Sequence, residues 1–265
     1  MLTLEEYADG QILAFDKPLG WTSFDVVAKV RYHLCRALGV KKLKVGHAGT
    51  LDPLATGVLL LCTGRATKRI DELQAGTKEY VATLFIGATT PSFDREQPID
   101  AIFPTSHITR QSVEHTLASF SGTIQQVPPA FSACKVDGDR AYDLARRGEQ
   151  PALRAKTLVI DHICLEDYRE GVIAPPPTPL KGRPAPATAH EGVQGIEATI
   201  RVVCSKGTYI RALARDIGTA LGSGAHLTAL RRTRIGDATI GACLDVEAFV
   251  AALPTPHTAT TQTSA

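Results

Sequence analysis

Residues 41–68 read KKLKVGHAGTLDPLATGVLLLCTGRATK, and the order of turn formers and apolar residues in them sets how the chain is parsed. Gly46, Gly49, Pro53 and Gly57 crowd together, so the backbone turns repeatedly. GVLLLC (57–62) then has the continuous apolar character of a buried strand. Asp52 precedes Pro53, which biases it away from the right-handed helical region and predicts an extended loop at that point. Upstream, ILAFDKPLGWTS (12–23) predicts a short strand, a turn at Lys17-Pro18-Leu19-Gly20, and a Thr/Ser able to cap the segment after it. SFDVVAKVRYHLCRALG (23–39) places Val26, Val27, Val30, Leu34 and Leu38 at helical spacing and closes on Gly39.

Downstream, RATKRIDELQ (65–74) predicts a short helix. KEYVATLFIGAT (78–89) alternates as a strand with Tyr80, Ala82, Leu84 and Ile86 on one side. ITRQSVEHTLASFSG (108–122) predicts a helix closed by Gly122. GTIQQVPPAFSACKVDGDR (122–140) predicts two extended pieces broken at Pro128-Pro129, with a turn at Asp137-Gly138. AYDLARRG (141–148) predicts one or two helical turns. LRAKTLVIDHICLEDYR (153–169) and GIEATIRVVC (195–204) predict strands, and GTYIRALARDIGTALG (207–222) a helix with Ile210, Leu213, Ile217 and Leu221 on its apolar side. This order lacks regular βαβ alternation, and short turns join several strand pairs. The expected class is α+β, a mixed and largely antiparallel central sheet with flanking helices and loops.

The 265 residues, 44% hydrophobic and 21% charged, suffice for a sizeable core. The expected division is a catalytic domain at 1–250 and a disordered Thr/Pro/Ala-rich tail at 251–265. GVIAPPPTPLKGRPAPATAHEGVQG (171–195) holds six of the sixteen prolines with scarcely any apolar periodicity, so an exposed, mobile insertion is expected there. The opening MLTLEEYADG has neither a basic nor an apolar segment of a signal peptide, and no long uncharged apolar run comes after it, so the expectation is a cytoplasmic chain with no membrane span. Cysteines 35, 62, 134, 164, 204 and 243 stand singly with no CxxC pair, which predicts small buried residues and neither a zinc site nor a disulfide framework. Residues 1–70 carry 10 Lys/Arg against 6 Asp/Glu and residues 201–236 carry 7 against 1, whereas residues 71–200 carry 12 against 17. Two separated basic segments suit a polyanion held at one face, although solvated helical faces would give the same count.

GHAGTLDPLATGVL resembles the catalytic motif of the bacterial tRNA pseudouridine-55 synthases, the TruB family. DKPLGWTSFDVV, KEYVATLFIGATTPSFD and CSKGTYIRALARDIGTALGSGAHLTALRR match the same family at compatible spacings, so the resemblance covers about residues 10–236. It implies the pseudouridine synthase fold, tRNA held by its T-arm as partner, and isomerisation of one uridine with no cofactor. Asp52 is implied as the catalytic carboxylate, Tyr80 as the residue stacked against the base, and Arg211 as the partner of Asp52. His47 matches the position that fills the space left by the flipped nucleotide, Leu230 an apolar wall of the base pocket, and Lys17 with Pro18 the turn under the catalytic loop. The family commonly carries a C-terminal PUA module; after residue 236 this sequence has no Lys or Arg, and that module is expected to be absent or vestigial.

The chemistry suits these residue types. Turning uridine into its C-glycoside breaks N1–C1′, rotates the freed uracil and joins C5 to C1′. A carboxylate can support the carbon that loses the base, an Arg beside it fixes its charge and orientation, and a Tyr offers a flat face and a hydroxyl for moving the C5 or the 2′ proton. A base within a folded loop must be extruded first. Taken singly, Asp52 reads as a turn former, Tyr80 as a core aromatic, Arg211 as an exposed helical arginine and His47 as a turn histidine. For phosphate contacts the candidates are Lys17, Lys41, Lys42, Lys44, Arg140, Arg231 and Arg232. No HxxxH, HExxH or CxxC spacing supports a metallohydrolase. An RNA-binding module without turnover is the competing class. Neither a metal, an obligatory protein partner nor an oligomer is expected; the chain is expected to act as a monomer.

Overall fold

The computed structural model describes residues 2–254, except 133, 137, 138, 142, 143, 145, 146, 148–151 and 181–189. Its helices are α1 (Leu4–Asp9), α2 (Ser23–Leu38), α3 (Ile70–Ala75), α4 (Arg110–Ser119), α5 (Ile210–Ala220) and α6 (Val246–Ala251). The strands are β1 (Ile12–Lys17), β2 (Val45–Ala48), β3 (Ala55–Thr63), β4 (Lys78–Ile86), β5 (Ala88–Thr89), β6 (Ala101–Ile102), β7 (Gly122–Gln126), β8 (Lys135–Val136), β9 (Asp139–Arg140), β10 (Lys156–Ile173), β11 (Gln194–Cys204), β12 (Ala225–Ile235), β13 (Ala238–Thr239) and β14 (Leu244–Asp245).

The central sheet runs β14-β1-β3-β12-β4-β11-β10-β7, with β2 on β3 and β13 on β12. Its β14–β1 and β12–β3 pairs are parallel and the others antiparallel, as expected of a mixed, largely antiparallel sheet. Helices α4 and α5 cover the face carrying Ala82, Leu84, Ile200 and Val202. Burial of Ile210, Leu213 and Ile217 holds α5 there, each such side chain contributing roughly 1.5–3 kcal/mol relative to exposure. Helices α1, α2 and α6 enclose a second cluster around Phe15, Val30, Leu59 and Phe249. Thr22 caps α2 in a capping box with Asp25, and Gly39 ends it at φ 66°.

Strand β12 matters most for function. It lies between β3 and β4, placing Leu230 opposite both Ala55 and Ala82 and Arg232 opposite Tyr80. Gly57 of β3 has φ 104°, and a Cβ there would meet the Arg232 carbonyl oxygen at 2.1 Å, so this crossing requires glycine.

Several expectations change. Cys62 and Cys204 are buried, but Cys35, Cys134, Cys164 and Cys243 are partly accessible; all six are free thiols. Leu253, assigned to the tail, is buried with Tyr7 and Phe249. The two ends of the insertion join the fold and are only partly exposed, with Val193 and Gly195 buried but Ile173 and Gln194 exposed. Val172 and Ile173 pair with Gly195 and Gln194, and Pro175, Pro177 and Thr178 are half-buried. Extended proline segments pack without a helical or strand period, which is why periodicity misses this. The turn at Asp137-Gly138 and much of 141–148 lie outside the described residues. No helix is long and apolar enough to cross a membrane among the described residues.

Candidate active site

The Gly49–Pro53 loop has its backbone fastened residue by residue. Arg232, 2% exposed, donates from Nη2 to Gly49 O at 3.0 Å, from Nη1 to Thr50 O at 3.4 Å and from Nε to Val58 O at 2.8 Å. Ser23 Oγ accepts from Leu51 N at 2.8 Å and donates to Leu51 O at 3.1 Å. Ala55 N donates to Asp52 O at 3.0 Å, and Gly20 N to Pro53 O at 2.9 Å. The buried Lys17 completes the set, with Nζ donating to Pro18 O at 2.9 Å, Trp21 O at 2.6 Å and Pro53 O at 3.4 Å. Charge-assisted bonds from two buried cations to carbonyls make this loop stiff despite its glycines.

Asp52 projects from the loop with its side chain 40% exposed, and its Oδ2 accepts from Arg211 Nε at 2.9 Å. Arg211 sits in the first turn of α5 and is buried. Its Nη1 donates to Ser92 O at 3.1 Å and its Nη2 to Phe131 O at 2.8 Å. Burial alone would lower the Arg211 pKa, but the Asp52 and Asp94 carboxylates outweigh it, and the pKa lies above the usual arginine value. Asp94 is a site residue that sequence reasoning misses. Its Oδ2 lies 3.6 Å from Arg211 Nε, while its Oδ1 accepts from Ser92 Oγ at 2.6 Å and from Glu96 N at 2.9 Å. Burial pushes the Asp94 carboxyl up, with Arg211 opposing it. The pattern TTPSFD contains the clue, an Asx-type acceptor for the N–H two residues further on, yet it reads as an ordinary turn.

Two cavities meet at Asp52. One of about 310 Å³ contains Tyr80, Lys78, Leu230 and Arg211; the other, about 380 Å³, contains Thr56, Asp94, Thr178, Leu230 and Arg211. Asp52, Arg211 and Leu230 border both. Burial raises the Tyr80 phenol above its usual pKa, opposed by Arg232, so the hydroxyl stays protonated at neutral pH. Burial, then Arg232, lowers the His47 pKa. Among the described residues His47 Nδ1 is buried without a hydrogen-bond partner.

Two candidates for phosphate contact sit elsewhere than expected. Arg232 and Lys17 are buried with their donors on loop carbonyls, because each is the local answer to unpaired backbone acceptors. Arg231 is paired with Asp16 at 2.7 Å on the rim of the larger cavity. Lys41, Lys42 and Lys44 are exposed and, with Arg31 and Tyr32, line an open groove. The Arg140 side chain lies outside the described residues. Among those described, no cluster of three or more His, Cys, Asp or Glu could hold a metal ion.

Residues 36–210 match the profile of the TruB family pseudouridylate synthase N-terminal domain, and residues 211–261 that of the tRNA pseudouridylate synthase B C-terminal domain. The chain is 63% identical to tRNA pseudouridine synthase B of Bacteroides thetaiotaomicron over 243 residues, covering 92% of each chain. To the protein of the same name from Flavobacterium johnsoniae it is 48% identical, covering 94% of this chain and 98% of the relative. Among solved structures, a Cbf5-Nop10-Gar1 complex matches at TM-score 0.61 and 26% identity, over 94% of this chain and 56% of that one.

Proposed function

The chain belongs to the TruB family of pseudouridylate synthases, and from that membership we propose that it converts uridine-55 in the T-loop of tRNA to pseudouridine. Relatives at 48–63% identity carry the name tRNA pseudouridine synthase B, and they are the better guide to substrate than the structures near 26%. The observation that carries the reading is the Asp52–Arg211 pair at the meeting point of two cavities. Arg211 holds one oxygen of Asp52, and the 40% exposure of its side chain leaves room for approach to C1′ of a flipped nucleotide. The freed uracil turns against Tyr80 and Leu230 before C5 joins C1′; C5 then loses its proton and N1 gains one, so atoms balance with no redox partner. His47 fills the vacated place in the RNA stack as a neutral ring.

Lys17 and Pro18 brace the loop, and Arg232 does the same from β12. Lys41, Lys42 and Lys44 contact phosphate, with Arg231 at the cavity rim and Arg140 on β9 as further candidates. The catalytic domain runs through the sheet and α6, and the chain acts as a monomer in the cytoplasm without a protein partner, metal or cofactor. Purified protein incubated with an unmodified tRNA transcript, with nothing added, should place pseudouridine at position 55. A transcript without pseudouridine, or product only when a guide RNA or second protein is supplied, would overturn the proposal.

A further inference from the structure

The start of the proline-rich insertion is built into the site. Arg95 Nε and Nη2 both donate to Pro176 O, at 2.9 and 2.7 Å, and Thr178 N returns a bond to Arg95 O at 2.8 Å. The clasp joins positions 81 residues apart. Prolines at 175, 176, 177 and 179 preset φ, so little backbone freedom is lost on docking. Ala174 N is anchored to Val193 O at 2.8 Å at the other end of this stretch. Thr178 and Arg95 then share the larger cavity with Asp52, Asp94 and Arg211. Arg95 is also the neighbour of Asp94, so the clasp grips the chain next to a carboxylate that lies beside Arg211.

We propose that Thr178, held in place by the Arg95 clasp on Pro176, forms part of the wall of the substrate cleft and positions the RNA strand entering beside Asp52, with Arg95 as a positioning residue and Thr178 facing the RNA. The inference rests on the tRNA reading. If the target base turns against Tyr80 in the smaller cavity, the adjoining nucleotide must pass the larger one, since the two meet at Asp52. The surface of that cavity is mostly apolar, with threonines and the charged Asp52, Asp94, Arg95, Arg211 and Arg231 interspersed, which suits the flat face of a nucleobase with polar groups at its edge. The prolines just before Thr178 line a neighbouring cavity and hold it in a fixed position without cost in flexible side chains.

The test measures kcat and KM on unmodified tRNA transcript for the parent, Arg95→Met, Arg95→Lys and Thr178→Trp, each with its thermal unfolding midpoint. Arg95→Met should raise KM roughly tenfold with kcat nearly unchanged, the pattern of lost uniform binding. Arg95→Lys should recover part of that, because an ammonium can still donate to the Pro176 carbonyl. Thr178→Trp, which fills the cavity with a side chain while leaving the backbone bonds of the clasp in place, should raise KM at least as much with the midpoint unaltered. Parental KM in Thr178→Trp, or a KM in Arg95→Met that changes only in step with a loss of folded protein, would overturn the wall. An inactive parent would overturn the tRNA reading and this inference together, whereas an active parent with indifferent variants would overturn this inference alone.

Discussion

Arg211 meets Asp52 through Nε at 2.9 Å while the rest of its guanidinium is fastened to the Ser92 and Phe131 carbonyls. The planar fork thus sets the angle at which the Asp52 carboxylate stands. Arg211→Met should reduce single-turnover rate by at least about 10²-fold. It also leaves Asp94 buried without its cation, so unfolding in urea should show a loss of about 3–5 kcal/mol. Arg211→Lys should rescue in part, since a point charge cannot serve all three directions. A Met variant with parental rate would reduce Arg211 to scaffolding.

Asp52→Asn should give no product while tRNA affinity stays within a few fold, because phosphate contacts dominate binding and Asp52 makes none. Filter binding and pseudouridine mapping on the same samples separate the two. Turnover in that variant would refute the central assignment.

Tyr80→Phe keeps the ring and removes the hydroxyl. Burial keeps that hydroxyl protonated at neutral pH, ready to donate. If it moves a proton, turnover should fall by about 10²–10⁴ with affinity retained. A parental rate would confine Tyr80 to stacking.

Arg232 of β12 and the lysines after α2 divide by salt dependence. Lys41, Lys42 and Lys44 changed together to Gln should flatten the dependence of log affinity on log salt by roughly one unit per lost contact. Arg232→Met should leave that slope unaltered yet cost about 1–3 kcal/mol of stability for each carbonyl stripped of its donor, at Gly49 and Val58 in particular. A reduced slope in Arg232→Met would return it to the phosphate contacts.

How far each residue is legible in the sequence depends on what it has to do. Thr22, Gly39 and the alternation Tyr80, Ala82, Leu84, Ile86 work through local rules, and the elements they predict are present. Strand β12 escapes those rules, because AHLTALRRTRI mixes buried His226 and Arg232 into its period and owes its place to pairing on both sides. Asp94 escapes for a related reason, since its significance comes from Arg211 across the fold. Helix α1 does carry a local signal, the Thr3–Glu6 capping box, but at six residues it is too short to show an apolar period. The insertion misleads because packing by prolines has no period.

Lys17 gives the pH prediction. Its ammonium has three donors and three carbonyl acceptors, and burial above all, with Arg232 adding to it and Asp52 opposing, lowers its pKa from 10.5 to about 8. Below about pH 8 both folded and unfolded chains carry the proton, and the full cost of burying the cation is present. Between about 8 and 10.5 the unfolded chain binds more protons than the folded one, so this residue makes stability rise with pH. Above 10.5 both are neutral and the penalty is gone. Lys17→Met removes the titration together with the bonds to the Pro18 and Trp21 carbonyls. The stability of the parent relative to the variant should therefore rise from about pH 8 upward, by at most about 1.4 kcal/mol per pH unit. Chemical unfolding of both proteins at about pH 7, 8.5 and 9.5, values chosen to bracket that window, measures this. A difference that stays constant over that range would mean that Lys17 titrates as it does in the unfolded chain, and its place as a buried brace beneath Pro53 would have to be given up.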